Sequence, residues 1–109
     1  MRLWTLDARV ADPAVLTDRP RLRAVLRDAA EHGGATVLGE TFCDVENGAV
    51  TGVLALAQSH LSIHTWPERS LASVDLLTRD DVDGELVLCE VAEGLGADDV
   101  RIACRRRAV

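Results

Sequence analysis

The sequence predicts an α+β fold: a two-layer α/β sandwich whose antiparallel sheet carries two helices on one face and dimerises sheet to sheet through the other. Three observations point there. Most of the 109 residues divide into short β-type runs separated by Gly, Asn, Asp and Pro turns. Only two segments space their apolar residues as a helix does. The run Val50 to Ala57 is apolar on both sides, with Val50, Leu54 and Leu56 pointing one way around Gly52, and Val53, Ala55 and Ala57 the other. Such a strand calls for cover on both faces. Two helices cover one face, and a second copy of the chain is the simplest cover for the other.

Leu3 to Val10 is the first expected strand, and Asp12-Pro13 opens a turn with a short helical turn at Ala14 to Leu16. The first helix has Asp18 as N-cap, Pro20 in its first turn, and Leu22, Val25, Leu26 and Ala29 at i, i+3, i+4 and i+7. Arg19, Arg23, Arg27 and Glu31 form its outer face, and Gly33-Gly34 ends it. Ala35 to Val45 and Ala49 to Ala57 make a hairpin across Glu46-Asn47-Gly48. His60 to Trp66 and Leu71 to Leu77 make a second strand pair across Pro67 to Ser70. Asp80 to Asp83 is an acidic turn able to cap a second helix, Gly84 to Leu95, with Leu88, Ala92 and Leu95 as its stripe and Gly96 as its stop. Val100, Ile102 and Cys104 alternate as a last strand, and Arg105-Arg106-Arg107 reads as a solvated basic end. With neither repeat nor linker, a single domain over 1–109 is expected.

Hydrophobic residues make up 48% and charged residues 28%, a globular balance. The net charge of -6 has the wrong sign for a phosphate-backbone binder. Trp4, Phe42 and Trp66 are too few aromatics for a stacking platform, so no nucleic acid partner is expected. All 12 basic residues are arginine. Without lysine, a pyridoxal phosphate enzyme of the usual kind is excluded, as are lysine-based covalent catalysis and a P-loop. Cys43, Cys89 and Cys104 form no CxxC pair, and no metal is expected. The amino terminus has no signal-peptide core and no apolar run is long enough to span a membrane. A soluble cytoplasmic protein with reduced thiols and no membrane partner is expected.

The segment Gln58-Ser59-His60-Leu61-Ser62-Ile63-His64-Thr65-Trp66-Pro67-Glu68 concentrates hydroxyls, imidazoles, a carboxamide and a carboxylate. By residue chemistry alone, a structural and a catalytic role are equally open. His60 and His64 share one side of a strand, but no third metal ligand is obvious. No GxSxG elbow is present for a serine hydrolase.

Ser59 to Glu68, followed by Ala72-Ser73-Val74-Asp75-Leu76-Leu77-Thr78, resembles the bacterial and archaeal S-adenosylmethionine decarboxylase proenzymes. Their pattern is close to ESHxSIHTWPE and then AxVDxFTC. Ala35-Thr36-Val37-Leu38, Val50-Thr51-Gly52-Val53 and the order of elements are similar to the same family. The resemblance covers most of the chain and implies a small-molecule enzyme of polyamine biosynthesis. Its cofactor would be a pyruvoyl group generated from Ser59, in place of pyridoxal phosphate. The chain would cut itself between Gln58 and Ser59 into 1–58 and 59–109. In that family the serine hydroxyl attacks the preceding carbonyl, and elimination and hydrolysis leave the pyruvoyl cap. Its ketone forms a Schiff base with the substrate amine and accepts the electrons freed as carbon dioxide leaves. His64 corresponds to the processing histidine, and Thr51 to an assisting hydroxyl residue. Glu68 matches the carboxylate that hydrogen-bonds the substrate ribose, and Trp66 lies beside it in the matched core.

Three positions depart from the pattern. Gln58 replaces a glutamate, keeping size and losing charge. Arg79 stands where the family has a cysteine that acts as general acid, a role arginine fills poorly. Val45 replaces an aromatic residue that stacks on adenine. Arg79 would either grip a substrate carboxylate as a fork or form surface ion pairs with Asp80 or Asp81. The expected activity is decarboxylation of S-adenosylmethionine. The alternatives are a pyruvoyl-dependent ornithine or arginine decarboxylase, and an unprocessed homologue acting as a binding subunit. A homodimer is expected, with Ser59 near a pocket at or beside the interface.

Overall fold

A computed structural model describes residues 1–108; Val109, the last residue of the expected domain and of the fragment 59–109, lies outside the described residues. The strands are β1 (Arg2–Val10), β2 (Val37–Asp44), β3 (Val50–Leu56), β4 (Ser59–Trp66), β5 (Leu71–Thr78) and β6 (Ala97–Arg106). The helices are α1 (Arg19–His32) and α2 (Gly84–Gly94). All strands join one sheet in the order β2-β3-β4-β5-β1-β6, and every neighbouring pair is antiparallel. Among the described residues, no helix is long and apolar enough to cross a membrane.

The helices start where residue chemistry places them. The Asp18 carboxylate accepts a hydrogen bond from the Arg21 N–H, and Asp83 does the same for Leu86, each satisfying an orphan donor of a first turn. Gly34 turns the chain out of α1 at φ 94°, a conformation that favours glycine. Leu22, Leu26, Ala29 and Ala30 of α1 and Val87, Leu88, Val91 and Ala92 of α2 are buried. They pack on Leu6, Ala8, Leu54, Leu61, Ile63, Val74 and Leu76 from the covered side of the sheet. Val25 is only partly buried, and the stripe of α2 is wider than expected because Val87 and Val91 join it. Gly52 of β3 lets the Phe42 ring lie across it from β2, since a Cβ there would run into that ring.

Several expectations are corrected. β2 begins at Val37 rather than Ala35, because the Ala35 N–H bonds back to the Ala30 carbonyl in the reversal after α1. It ends at Asp44, leaving Val45 in the loop. The arginine face of α1 is not simply solvated. Arg23 and Arg27 both pair with Glu40 of β2, and Arg19 Nε lies 3.3 Å from Asp44 Oδ1. The hydrogen bond from Arg23, aided by Arg27, holds the Glu40 carboxyl below the usual carboxylate range. Charge therefore fastens α1 to an edge strand where apolar packing runs out. Arg105 and Arg106 belong to β6, opposite Leu3 and Arg2, instead of forming a loose tail. Not a correction is the second face of β3: Val53 is 40% exposed and Ala55 is exposed, so no element of the described chain covers the face for which a second copy is expected.

Candidate active site

Two groups of side chains lie at opposite ends of β4. At its start, Ala57-Gln58 join β3 to β4, and Leu56 pairs with Ser59. The Ala57 N–H bonds to the Thr36 carbonyl at 2.9 Å and fastens the turn. Gln58 has φ 63°, the left-handed region that a side-chain-bearing residue enters at a cost of about 1–2 kcal/mol. The strained residue is thus the one whose carbonyl precedes half-buried Ser59. Arg79 follows β5 at this same end, since His60 pairs with Leu77. Its guanidinium is exposed and lies 3.2 Å from the Asp81 carboxylate, the surface ion pair of the two expectations.

At the far end of β4, Thr51 sits opposite His64, and Thr51 Oγ1 and His64 Nδ1 share a hydrogen bond of 2.6 Å. The Trp66 ring stands edge-on to the imidazole, with centroids 4.4 Å apart and planes at 67°. Both residues line a cleft of about 640 Å³ together with Asp44, Val45, Glu46, Asn47, Ala49 and Glu68. Val45 is exposed in the loop after β2, and Glu68 is exposed in the 3-10 turn Pro67–Arg69. Strand alternation explains the arrangement. Leu61, Ile63 and Thr65 are buried among the core residues, while His60, Ser62, His64 and Trp66 share the uncovered face. Thr65 is fully buried and anchors this end: its hydroxyl accepts from the Val50 N–H and donates to the Leu16 carbonyl, both at 2.9 Å.

Gln58, Ser59 and Arg79 are therefore at one end, and Val45, Thr51, His64, Trp66 and Glu68 at the other. Ser59 and His64, close in sequence, are kept apart by roughly 16 Å of extended strand. The sequence reading placed them in one constellation, and an extended backbone separates them. It also missed Asp44, Glu46 and Asn47 in the cleft, although the Glu46-Asn47-Gly48 turn beside Val45 was a usable signal. Ser73 was missed as well. It pairs with His64 across the sheet, and its hydroxyl donates to Asp7 Oδ1 at 3.0 Å. Only strand register, invisible in the sequence, places it there. Among the described residues, no group of three or more His, Cys, Asp or Glu is gathered to hold a metal.

The fold and the sequence both match known proteins. A family model described as S-adenosylmethionine decarboxylase matches residues 2–108. The chain is 42% identical over 86 residues to the S-adenosylmethionine decarboxylase proenzyme of Symbiobacterium thermophilum, covering 79% of this chain and 65% of that protein, just under two thirds of its length. It is 44% identical over 93 residues to the proenzyme of Prochlorococcus marinus, covering 84% of this chain and 74% of that protein. The crystal structure of the adenosylmethionine decarboxylase from Aquifex aeolicus superposes with a TM-score of 0.86 at 25% identity, over 99% of this chain and 90% of that one.

Proposed function

This chain belongs to the S-adenosylmethionine decarboxylase family, and from that premise we propose that it is a self-processing, pyruvoyl-dependent decarboxylase of polyamine biosynthesis acting on S-adenosylmethionine. One observation carries the reading: Ser59 directly follows Gln58, whose backbone is held at φ 63° in the tip of a hairpin. Ser59 Oγ attacks the Gln58 carbonyl carbon. The amide C–N bond breaks, an ester forms, and the proton passes from the hydroxyl to the freed amine. Loss of the Ser59 α-proton then expels the 1–58 chain as a carboxylate, and water hydrolyses the resulting dehydroalanine, releasing ammonia. The residues fit the group, because it is built from the serine's own atoms at a turn that gains from being cut. Once formed, the pyruvoyl group supplies the electron sink for decarboxylation.

His64 takes the α-proton, oriented by its hydrogen bond to Thr51. Trp66 and Glu68 hold the nucleoside end of the substrate in the cleft that they line. Because Ser59 and His64 stand at opposite ends of β4, two copies pack by their uncovered sheet faces, so that the Thr51–His64 pair of one serves Ser59 of the other. The bare face of β3 supports this homodimer. The three cysteines are free and exposed, the state a reducing cytoplasm maintains.

A second reading, an amino-acid substrate such as ornithine or arginine, is favoured by one observation. The cleft carries Asp44, Glu46 and Glu68 and has Val45 in place of an aromatic wall, which suits a small cation better than an adenine. Intact mass and carbon dioxide release decide among the readings. The protein should resolve into 1–58 and a blocked 59–109, and Ser59→Ala should stay whole. Without added pyridoxal phosphate, S-adenosylmethionine should turn over faster than ornithine or arginine. The reverse order selects the second reading, and a chain that is never cut rejects both.

A further inference from the structure

We infer that the outer edge of β6 is an interface for the same edge of a second copy, paired antiparallel about a two-fold axis at Ile102. This strand edge lies at the opposite side of the sheet from the cleft, and the inference does not depend on the proposed activity.

β6 is the last strand of the sheet and, at 10 residues, a long one for an edge. The Arg107 N–H bonds to the Met1 carbonyl in register with the β1–β6 ladder. In an antiparallel pair, alternate residues exchange hydrogen bonds, so the odd-numbered residues of β6 bond to β1. Val100, Ile102 and Cys104 accordingly turn their N–H and C=O groups outward. Their side chains are also under-covered: Val100 is 43% and Ile102 37% exposed.

Charge selects the occupant and the register. Asp98 and Asp99 lie on one side of Ile102, and Arg105 and Arg106 on the other. An edge guarded against association carries repelling charge or proline. An edge whose two halves have opposite signs attracts its own inverted copy. With the axis at Ile102, Ile102 meets Ile102, Val100 meets Cys104, Asp99 meets Arg105 and Asp98 meets Arg106. Every outward-facing residue of the regular stretch then finds an outward-facing partner. Moving the axis to Arg101 sets Arg101 against itself, and moving it to Ala103 sets Arg101 against Arg105. Like charges directly opposite are destabilising, so both shifts are disfavoured.

The ladder is regular from Asp99 to Arg105, and the register shift opposite Arg9 and Val10 places a bulge at Asp98 that closes the interface. Among the described residues, Asp99 and Arg105 make no ion pair of their own. Arg106 lies 3.6 Å from Asp80 in an exposed pair that leaves it able to share. Every contact except Ile102–Ile102, which lies on the axis, occurs twice, and two sheets become one continuous sheet.

Light scattering and native mass spectrometry on the wild type, Asp99→Arg, Arg105→Asp and the double variant Asp99→Arg/Arg105→Asp test this. Each single reversal sets like charges opposite one another and should halve the assembly mass. The double variant exchanges the signs and should restore it. Ile102→Pro removes an outward N–H and spares the donors used by β1, so it should also halve the mass. Circular dichroism checks that each protein is folded. Equal masses for wild type and both single variants overturn the inference, and so does a double variant that stays at half mass. By register Asp99 lies beside Arg9 and Arg105 beside Leu3, on the side of the sheet that carries Ser73 and His64. Ile102→Pro, whose side chain lies on the covered side, therefore separates edge pairing from pairing through the sheet faces, and an unchanged mass for it overturns the inference.

Discussion

Ser59 and His64 belong to the same strand, β4, and stand at opposite ends of it, with His64 tied to Thr51 of β3 by a 2.6 Å hydrogen bond. A dimer in which each copy completes the other's site turns this separation into a complementation test. His64→Ala alone should cleave about a hundredfold more slowly, the usual weight of a lost acid–base group. Ser59→Ala cannot cleave itself but keeps His64. Co-expressed with distinguishable tags, the Ser59→Ala chain should restore cutting of the His64→Ala chain. A His64→Ala chain that stays whole in a folded mixed dimer would show that no partner histidine reaches its serine.

Backbone strain at the cut site predicts a slower glycine variant. Gln58 at φ 63° stores about 1 kcal/mol that Gly would not. If cleavage releases that strain, Gln58→Gly should process about fivefold more slowly. A time course of intact mass reads the rate, and an unchanged or faster rate removes strain from the mechanism.

Thr65 predicts a structural effect in the middle of the motif. Thr65→Val keeps the shape but leaves the buried Val50 N–H and Leu16 C=O without their partner. A loss of about 2–3 kcal/mol is expected from urea unfolding in a Ser59→Ala background. Thr65→Ser, which keeps the hydroxyl, should lose clearly less. Equal losses would assign the effect to packing of the methyl group.

The pair His32–Glu90 predicts a pH dependence. His32 Nδ1 lies 2.8 Å from Glu90 Oε2 and joins α1 to α2. The hydrogen bond and charge of Glu90 raise the His32 pKa above 6.5. A raised value in the folded state adds stability that is complete below the unfolded value and is lost as pH rises through the folded one. The wild type should therefore exceed His32→Gln in thermal stability below pH 6.5, and the gap should close above it. His32 is 64% exposed, so the gap should be small. A gap that widens with pH would contradict the pairing.

Much of the fold was legible in the sequence because its signals are local. Asp18 and Asp83 cap the helices they precede, and the two hairpins follow from their turns. The motif from Ser59 to Glu68 carried the family, since its residues are contiguous. Less legible were contacts between residues distant in the chain. The arginine face of α1 gave no hint that Arg23 and Arg27 converge on Glu40, because nothing in a helical repeat says which strand lies beneath it. Nor did the Arg105-Arg106-Arg107 run show that Arg105 and Arg106 extend the strand begun by Val100, Ile102 and Cys104, because their pairing with Leu3 and Arg2 of β1, not their side chains, orders them.

Local sequence was enough to place the helix ends, the turns, the alternation that sends His60 and His64 to one face, and the family. All of these depend on neighbours within a few residues, where backbone preference and capping act. Tertiary structure alone decided that Ser59 and His64 lie apart, that Thr51 meets His64 and Ser73 faces it, and that the cleft gathers Val45, Trp66 and Glu68. Those outcomes follow from strand register and loop packing. Register is set by burying one face of the whole sheet at once, and no single segment contains that information.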